Sequence, residues 1–441
     1  MKAGFVSLGC AKNLVDTEVM LGIMQEHGIE LTANPADADI LIVNTCAFIL
    51  SAKEESITTI LNLAEYKQSG RCKSLIVAGC LGQLYKRELL DEMPEADAII
   101  GTGAWNRIME AIEETLSGRR VVLIGERDII YNAKTPRLRT TPDYTAYVKI
   151  SEGCNNRCAF CSIPLIRGKQ ISRPIEDIRA EVERLASQGV KEVNLIAQDT
   201  TAYGVDLYGT PKLAELLREL VKTDVRWIRI LYAYPRRFTD ELIDLIAAEP
   251  KICNYVDLPL QHVNNDILKR MNRPDTRESI ETLLEKIRAH IPNAVIRSTF
   301  IVGFPGETED QFQELKNFLQ TQRLDKVGIF TYSREENTAA YDFPDQLTEE
   351  VMQNRYHDLM SMQSKISQEL NESLVGSELD VLIEGRDEED NQVVAGRSYR
   401  DAPEVDGLVY IENDKRSRAG DIVRAKVTAG FVYDIAAERI D

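Results

Sequence analysis

Short apolar runs alternate with stretches of helical periodicity over the first part of the chain. The apolar runs predict strands, and the stretches in which apolar residues recur every three or four positions predict helices. The predicted strands are Lys2–Leu8, Ile40–Asn44, Ser74–Ala78 and Ala98–Ile100, and the predicted helices lie near Val15–His27, Ser51–Lys67, Leu84–Glu92 and Ala104–Leu116. Repeated strand-then-helix units build a parallel sheet that is covered on both faces. Residues 1–131 are therefore expected to form a doubly wound α/β domain.

A segment without apolar periodicity, 132–143, follows and carries Pro136 and Pro142, so we interpret it as a linker. A second strand-and-helix series occupies residues 144–372. Its six units are too few for a closed eight-unit barrel and predict an open (βα)6 barrel. The predicted strands are Thr145–Ile150, Val193–Ala197, Trp227–Leu231, Tyr255–Leu258, Ala294–Phe300 and Lys326–Phe330, and the helices are Pro174–Ser187, Pro211–Lys222, Thr239–Ala247, Thr276–His290, Glu309–Gln320 and Thr348–Leu370.

The last part of the chain, 373–441, has a different pattern. Short β-rich runs occur there without a helical period, which predicts a small all-β barrel. The runs are Glu378–Glu384, Val393–Arg397, Gly407–Glu412 and Asp421–Arg439. The acidic run Asp387–Asp390 between the first two is interpreted as a solvated turn.

Composition and charge narrow the classes of function. The 441 residues are 44% hydrophobic and 28% charged, as in a soluble protein of about three domains. Neither a membrane span nor a signal peptide is predicted, so we expect a cytoplasmic protein that binds no membrane. The net charge of −18 disfavours sequence-independent binding of DNA or other nucleic acids, which relies on Lys and Arg. It favours a basic protein partner.

Three of the eight cysteines, Cys154, Cys158 and Cys161, lie directly after a predicted strand, where ligands of α/β sheets and barrels collect. Thiolates are the usual ligands of iron–sulfur clusters, and three of them leave one iron of a four-iron cluster open. A zinc site would need a fourth ligand, for which His262 is the candidate. The pattern favours an iron–sulfur cluster, with zinc or chance proximity as the alternatives.

A second set of cysteines, Cys10, Cys46 and Cys80, is separated by 36 and 34 residues, about the length of one βα unit. Each follows a predicted strand within three residues. In a parallel sheet these positions share one edge, so three thiols can converge there and hold a second cluster. The alternative is three separately buried cysteines, which is how we interpret Cys72 and Cys253.

Two further segments follow predicted strands of the barrel. The glycines of Gly303–Thr308 would let a ligand approach the backbone, although a tight turn explains them equally well. This segment lacks the features of a phosphate loop or a dinucleotide fingerprint, so neither ATP nor NAD is indicated. Gln198 lies at the same edge, next to Asp199 and Thr200, either of which is also a candidate helix N-cap.

The Cys154–Cys161 loop, with an aromatic residue at Phe160, resembles that of the radical S-adenosylmethionine (SAM) enzymes. Its combination with the three amino-terminal cysteines and a terminal barrel similar to a TRAM domain is the layout of the methylthiotransferases. The similarity covers essentially the whole chain. Ser7–Glu18, Asn44–Ser56 and Ile150–Cys158 resemble the branch that modifies a ribosomal protein, and Ala11 departs from that branch's frequent proline at a position that binds no ligand.

The resemblance implies two [4Fe–4S] clusters and SAM as cofactors. One cluster would be bound by Cys154, Cys158 and Cys161, and its open iron would take SAM, which is cleaved to methionine and a 5′-deoxyadenosyl radical. The SAM pocket would be lined by Phe160, Gln198, Gly303 and Gly306. Cys10, Cys46 and Cys80 would hold the cluster that delivers sulfur. The implied partners are small-subunit ribosomal protein twelve, modified at the β-carbon of an aspartate, and an electron donor such as flavodoxin or ferredoxin.

The charge of the terminal barrel bears on the substrate. From Leu374 to Asp441 there are 16 acidic and 9 basic residues, a net charge of −7. A barrel that binds RNA is expected to be basic, so this charge favours a basic ribosomal protein. The alternatives are the same chemistry on an adenosine of tRNA and, in a different class, a zinc-stabilised RNA-binding protein without enzymatic activity.

Overall fold

A computed structural model of the chain describes residues 1–126, 129–386, 392–412 and 414–441. The predicted acidic turn Asp387–Asp390 lies outside the described residues. Within the described residues, no helix is both long and apolar enough to cross a membrane.

The amino-terminal part is a six-stranded parallel sheet in the order β2-β1-β3-β4-β5-β6. Its elements are β1 (Lys2–Ser7), α1 (Ala11–Glu26), β2 (Glu30–Thr32), β3 (Ile40–Thr45), α2 (Leu50–Ala64), α3 (Tyr66–Ser69), β4 (Ser74–Gly79), α4 (Cys80–Glu92), β5 (Ala98–Ile100), α5 (Ile108–Leu116) and β6 (Val121–Leu123). Alternate residues of β3 bury their side chains in two different cores, Ile40 and Ile42 on one face and Leu41 and Val43 on the other. The predicted doubly wound sheet is confirmed.

The central part contains two three-stranded parallel sheets, β11-β10-β7 and β12-β13-β14, around one large apolar core. A bridge between Ile228 and Ile252 lies where the two sheets meet, and no described residues pair β7 with β14, so the barrel is open. Its elements are β7 (Thr145–Lys149), β8 (Ser151–Glu152), α6 (Ile163–Ile166), β9 (Ile171–Ser172), α7 (Ile175–Ser187), β10 (Glu192–Ile196), α8 (Val205–Tyr208), α9 (Leu213–Leu220), β11 (Trp227–Ile230), α10 (Asp240–Ala248), β12 (Tyr255–Asp257), α11 (Asn265–Arg270), α12 (Arg277–His290), β13 (Val295–Val302), α13 (Glu309–Gln322), β14 (Lys326–Thr331) and α14 (Glu349–Glu372).

The terminal part is a closed five-stranded barrel in the order β15-β16-β17-β19-β18. Its strands are β15 (Glu378–Arg386), β16 (Val394–Ser398), β17 (Val409–Ile411), β18 (Ile422–Gly430) and β19 (Ile435–Arg439). The predicted β-rich run Asp421–Arg439 contains two strands, because the chain turns between β18 and β19, which then pair with each other.

Buried contacts join the three parts. Val15 and Val19 of α1 lie in one apolar cluster with Tyr147 of β7, Trp227 of β11 and Leu382 of β15. Charged groups join the open barrel to the terminal barrel at the same interface. The carboxylate of Glu192 lies 3.1 Å from the guanidinium of Arg229 and 2.7 Å from that of Arg397, and all three side chains are buried.

Candidate iron–sulfur sites

Cys10, Cys46 and Cys80 lie at one edge of the amino-terminal sheet. The strands that precede them, β1, β3 and β4, are neighbours, and Asn44 of β3 is in register with Ser7 of β1 and with Ala78 of β4. Cys46 directly follows β3, and Cys80 is the first residue of α4. That helix therefore begins four residues earlier than the predicted Leu84. The structure thus brings the three cysteines together at the predicted edge.

Two glycines allow this convergence. Gly9 and Gly79 immediately precede Cys10 and Cys80 and have φ angles of +87° and +93°. A Cβ atom on Gly9 would lie 2.8 Å from the Cβ of Cys46 and 3.1 Å from its Sγ. A Cβ atom on Gly79 would lie 2.2 Å from the Oδ1 of Asn44. A larger residue at either position would push the cysteine-bearing loops apart.

Asn13, in the first turn of α1, braces the loops of this edge. Its Nδ2 donates to the carbonyls of Leu8 at 3.0 Å and Thr45 at 2.8 Å, and its own carbonyl accepts from Asn44 Nδ2 at 2.8 Å. The Sγ of Cys80 lies 3.6 Å from Asn13 Oδ1. Asn13 therefore ties the ends of β1 and β3 to α1 and also contacts the thiol of Cys80.

The thiols of this edge differ in exposure and in pKa. Cys80 is buried, and burial raises its pKa to about 12, against the opposing charge of Arg167. Burial likewise raises the pKa of half-buried Cys46. Cys10 is exposed, and although the surrounding protein desolvates its thiol, the charges of Lys12 and Arg167 lower its pKa below the ordinary value. The negative charges of the neighbouring thiolates raise the pKa of Cys80, so three thiolates at this edge need a cationic ligand group to be stable together.

Cys154, Cys158 and Cys161 lie on one loop after β8, and all three are half-buried. The backbone of this loop is tied down on both sides: Cys154 N–H donates to the carbonyl of Gly168 at 3.1 Å, and Ala159 N–H donates to that of Met271 at 2.8 Å. Burial raises the pKa of all three thiols, that of Cys154 to about 11. The guanidinium of Arg273, 3.9 Å from Cys158 Sγ, opposes the rise at Cys158.

Both sets fit a four-iron cluster by donor chemistry, since each offers three thiolates and one open coordination position. Among the described residues, no group of three or more His, Cys, Asp or Glu side chains is spaced to hold a single metal ion. Thiolates of a four-iron cluster each bind a different iron and lie farther apart than the ligands of one ion. The candidate fourth zinc ligand, His262, is engaged elsewhere: its ring nitrogens contact Glu307 Oε1 at 3.2 Å and the Asn264 N–H at 3.0 Å.

The residues predicted to line a SAM pocket have different surroundings. Phe160 is half-buried against an apolar cluster that includes Met271. Gln198 donates from Nε2 to Glu152 Oε1 at 2.5 Å, while its buried Oε1 has no hydrogen-bond partner among the described residues. Such an orphaned acceptor is a position for a ligand donor. The neighbouring Asp199 is a helix N-cap, accepting from Ala202 N–H at 3.1 Å.

Gly303 and Gly306 are close to side chains of the protein itself. Both have positive φ angles. A Cβ atom on Gly303 would lie 2.2 Å from Met352, and one on Gly306 would lie 2.3 Å from Arg270. Packing within the chain is therefore a sufficient reason for glycine at both positions.

A cavity of about 470 Å³ opens beside the Cys154–Cys161 loop. Its lining includes Arg157, Tyr234, Arg236, Lys269 and Arg273. Arg157, Arg236 and Lys269 are exposed, and none of them forms an ion pair within 4.0 Å with a described residue. The rim of this cavity is thus locally positive on a chain whose net charge is −18.

A buried charge network lies between the two cysteine sites. Lys149 Nζ is 2.5 Å from Asp16 Oδ1 and 2.6 Å from Glu152 Oε2, and Arg167 Nη1 is 2.6 Å from Asp16 Oδ2. Burial raises the pKa of Glu152, but the charges of Arg167 and Lys149 lower it more, to about 2. The second nitrogen of the Arg167 fork lies 3.5 Å from Cys80 Sγ. Sequence patterns did not identify these residues, because they come from distant segments and only the fold brings them together.

Three segments of the chain each match a known protein family. Residues 148–319 match the radical SAM superfamily, residues 2–101 match the uncharacterized protein family UPF0004, and residues 375–440 match the TRAM domain.

Curated relatives match over the whole chain, and each of the following is named ribosomal protein uS12 methylthiotransferase RimO. The protein of Desulforamulus reducens is 51% identical, with 99% of this chain and 98% of the relative covered. That of Myxococcus xanthus is 50% identical, covering 99% and 91%, and that of Citrifermentans bemidjiense is 50% identical, covering 100% and 98%.

Solved structures match the fold at low identity. The radical SAM methyltransferase TsrM of Kitasatospora setae, solved with cobalamin and a [4Fe–4S] cluster, superposes with a TM-score of 0.52 at 15% identity, covering 75% of this chain and 72% of its own. The cobalamin-dependent radical SAM enzyme OxsB gives 0.51 at 12% identity, covering 83% and 56%. At these identities the similarity concerns the fold alone, and it agrees with the predicted fold class.

Proposed function

We propose that this chain, which belongs to the family of the ribosomal protein uS12 methylthiotransferases RimO, adds a methylthio group to the β-carbon of an aspartate in uS12. One observation carries the proposal: the relatives named for this reaction are about half identical over essentially the whole chain, across all three of its parts. The chain is a radical SAM enzyme, and the superfamily implies SAM and a [4Fe–4S] cluster as cofactors.

Cys154, Cys158 and Cys161 are assigned to the radical SAM cluster. When bound, this cluster supplies the electron that cleaves SAM and so generates the radical needed to attack an unactivated C–H bond. The chain's own residues orient the reactants around it. The loop is held by Gly168 and Met271. The Oε1 of Gln198, which has no hydrogen-bond partner in the part of the chain that the structure describes, supports a role for this residue in binding SAM. Phe160, Gly303 and Gly306 are assigned to the same pocket by resemblance.

Cys10, Cys46 and Cys80 are assigned to a second [4Fe–4S] cluster that delivers sulfur. Their convergence at one sheet edge, with Gly9 and Gly79 admitting the close approach, supports this assignment. In this assignment the three cysteines position sulfur and take no part in acid–base chemistry.

The proposed substrate is a basic protein of the ribosome, and we expect the reaction to take place in the cytoplasm. A net charge of −7 on the terminal barrel supports the docking of such a protein through electrostatic attraction. The tRNA alternative is not favoured, because the full-length relatives reported above are named for a ribosomal protein. The zinc-stabilised RNA-binding alternative is likewise not favoured for a radical SAM enzyme.

The positive cavity rim supports an acidic redox protein of the flavodoxin or ferredoxin type as the electron donor. Arg157 belongs to the loop that holds the radical SAM cysteines, and Arg236 and Lys269 line the same cavity, so a donor bound there would lie near the acceptor. Arg236→Glu with Lys269→Glu is expected to raise the KM for a reduced flavodoxin several-fold and to leave dithionite-driven SAM cleavage unchanged. An unchanged KM would contradict this docking surface.

The substrate is tested by mass spectrometry of ribosomal proteins and tRNA from cells that lack the gene. We expect uS12 to lose an increment of about 46 Da, the mass of a methylthio group less one hydrogen, and to regain it on complementation. Loss of the increment from tRNA, with uS12 unchanged, would overturn the proposal.

A further inference from the structure

Arg167 lies between the two cysteine sites and contacts structural elements of both. The carbonyl of its neighbour Gly168 accepts a hydrogen bond from the Cys154 N–H at 3.1 Å. The main chain next to Arg167 therefore helps to hold the loop that carries Cys154. Its side chain extends in the other direction and lies 3.5 Å from Cys80 Sγ. One residue thus spans the distance between the two sets of thiols.

The orientation of the guanidinium is fixed on both sides. Nη1 binds Asp16 Oδ2 at 2.6 Å and Glu152 Oε2 at 3.1 Å, and Nη2 binds Asn13 Oδ1 as well as Cys80. The residue is 3% exposed. Because the planar fork uses both nitrogens in fixed directions, a lysine cannot reproduce all of these contacts.

The far side of the network reaches the predicted SAM pocket. Glu152 binds Arg167 through Oε2 and accepts from Gln198 Nε2 through Oε1 at 2.5 Å. A continuous series of hydrogen bonds therefore runs from Gln198 through Glu152 and Arg167 to the sulfur of Cys80.

We propose that Arg167 is a positioning residue that donates a hydrogen bond to the Cys80 sulfur of the amino-terminal cluster and raises that cluster's reduction potential. The inference rests on the proposed function, since it requires a cluster at Cys10, Cys46 and Cys80. Reduction adds negative charge to a cluster, and a fixed cation with a hydrogen bond to a ligand sulfur stabilises the reduced form. Asp16 and Glu152 balance much of the charge of Arg167, and the buried setting keeps water from competing for its hydrogen bond to the sulfur.

The test uses full-length protein carrying Cys154→Ala, Cys158→Ala and Cys161→Ala, so that iron and spectroscopic signals come from the amino-terminal site alone. Arg167→Gln and Arg167→Lys are added singly to this background, and the reduction potential is measured by a titration monitored by electron paramagnetic resonance. Arg173→Gln is the matched control, because Arg173 is equally buried but binds Asp177, Glu181 and the carbonyl of Lys149.

We expect about four irons per chain in the background, a more negative potential in Arg167→Gln, a smaller shift in Arg167→Lys, and none in Arg173→Gln. An unchanged potential in Arg167→Gln, or an equal shift in the control, would overturn the inference. If Arg167→Gln binds no iron, the Arg167→Lys variant is the test. Iron retained in Arg167→Lys with a lowered reduction potential supports the inference. Loss of iron in Arg167→Lys as well would overturn it and show that Arg167 has a purely structural role. A background protein without iron would instead refute the second cluster of the proposed function.

Discussion

The guanidinium of Arg137 lies 2.6 Å from the carboxylate of Glu18, and both side chains are almost completely enclosed. Arg137 belongs to segment 132–143, which the sequence indicates to be a linker, whereas Glu18 belongs to α1. The same guanidinium binds Glu181 of α7 at 2.8 Å. The segment therefore does more than connect the two α/β parts, because its arginine fastens them to each other.

Replacement of this arginine should destabilise the protein. We expect Arg137→Ala to lower the free energy of unfolding by about 3–5 kcal/mol, because it leaves Glu18 and Glu181 buried without this cationic partner. Urea unfolding of the metal-free protein measures the change. The control, Arg179→Ala, removes exposed pairs with Glu183 and Glu219 and should lower the free energy by less than about 1 kcal/mol. An equal loss of unfolding free energy in the two variants would contradict the conclusion that Arg137 holds the two α/β parts together.

Substitution of the two sets of cysteines should affect different reaction products. Alanine at Cys154, Cys158 and Cys161 should halve the iron content from about eight to about four per chain and abolish 5′-deoxyadenosine formation. Alanine at Cys10, Cys46 and Cys80 should also halve the iron but leave SAM cleavage while stopping sulfur transfer. Iron analysis and chromatography of the products measure both. Cys72→Ala with Cys253→Ala is the control and should lose no iron. Cleavage of SAM without Cys154, Cys158 and Cys161 would contradict the radical assignment.

Gly79 should be required for iron at the amino-terminal site. An alanine there would have its Cβ 2.2 Å from Asn44 Oδ1 and 2.7 Å from the Thr45 carbonyl, so the loop carrying Cys80 must move. Gly28→Ala is a matched control, since Gly28 also has a positive φ but has no atom of another described residue within 4 Å of the added Cβ. We expect the control to cost about 1–2 kcal/mol of stability and to keep its iron. Full iron in Gly79→Ala would show that the close approach is dispensable.

Glu192, at the interface between the open barrel and the terminal barrel, should make the free energy of unfolding depend on pH. Burial raises the pKa of Glu192, but Arg397 and Arg229 lower it more, to about 2 in the folded protein. A carboxyl whose pKa is lowered by folding contributes stability that is fully present above its unfolded pKa of about 4.5 and is lost as the pH falls through its folded pKa of about 2. The difference in unfolding free energy between the unsubstituted protein and Glu192→Gln should therefore shrink over that range. Metal-free protein is used, so that acid release of iron does not contribute. A difference independent of pH would contradict this linkage.

The sequence predicted those features that repeat along the chain. Cys46 follows a buried strand at the end of a regular βα unit, so its place at the sheet edge was predictable from the pattern alone. The short edge strands β2 and β6 were missed, because each has only three residues and is partly exposed, which leaves no clear alternation. The run Asp421–Arg439 could not be divided into β18 and β19 from the sequence, because Phe431, Val432 and Tyr433 continue the β-rich composition through the turn.

Interactions between residues of distant segments could not be predicted from the sequence. Arg167 is 87 residues from Cys80 and 151 from Asp16, and nothing in its neighbourhood distinguishes it from a surface arginine. The same holds for Arg137 and Glu18, 119 residues apart. Their roles depend on how the amino-terminal sheet packs on the open barrel. The periodicity of neighbouring residues along the chain does not specify this packing.

Cys10, Cys46 and Cys80 follow three neighbouring parallel strands, so gathering their thiols needs more of the fold than the Cys154–Cys161 loop does. Cys154 and Cys161 are seven residues apart, so their loop needs only local chain closure to gather its thiols. Cys10 and Cys80 are 70 residues apart and meet only when β1, β3 and β4 have paired, which is slow, non-local folding. A chain in which β1, β3 and β4 have not yet paired therefore lacks a complete amino-terminal site, and iron bound there would mark a sheet in which these three strands have paired.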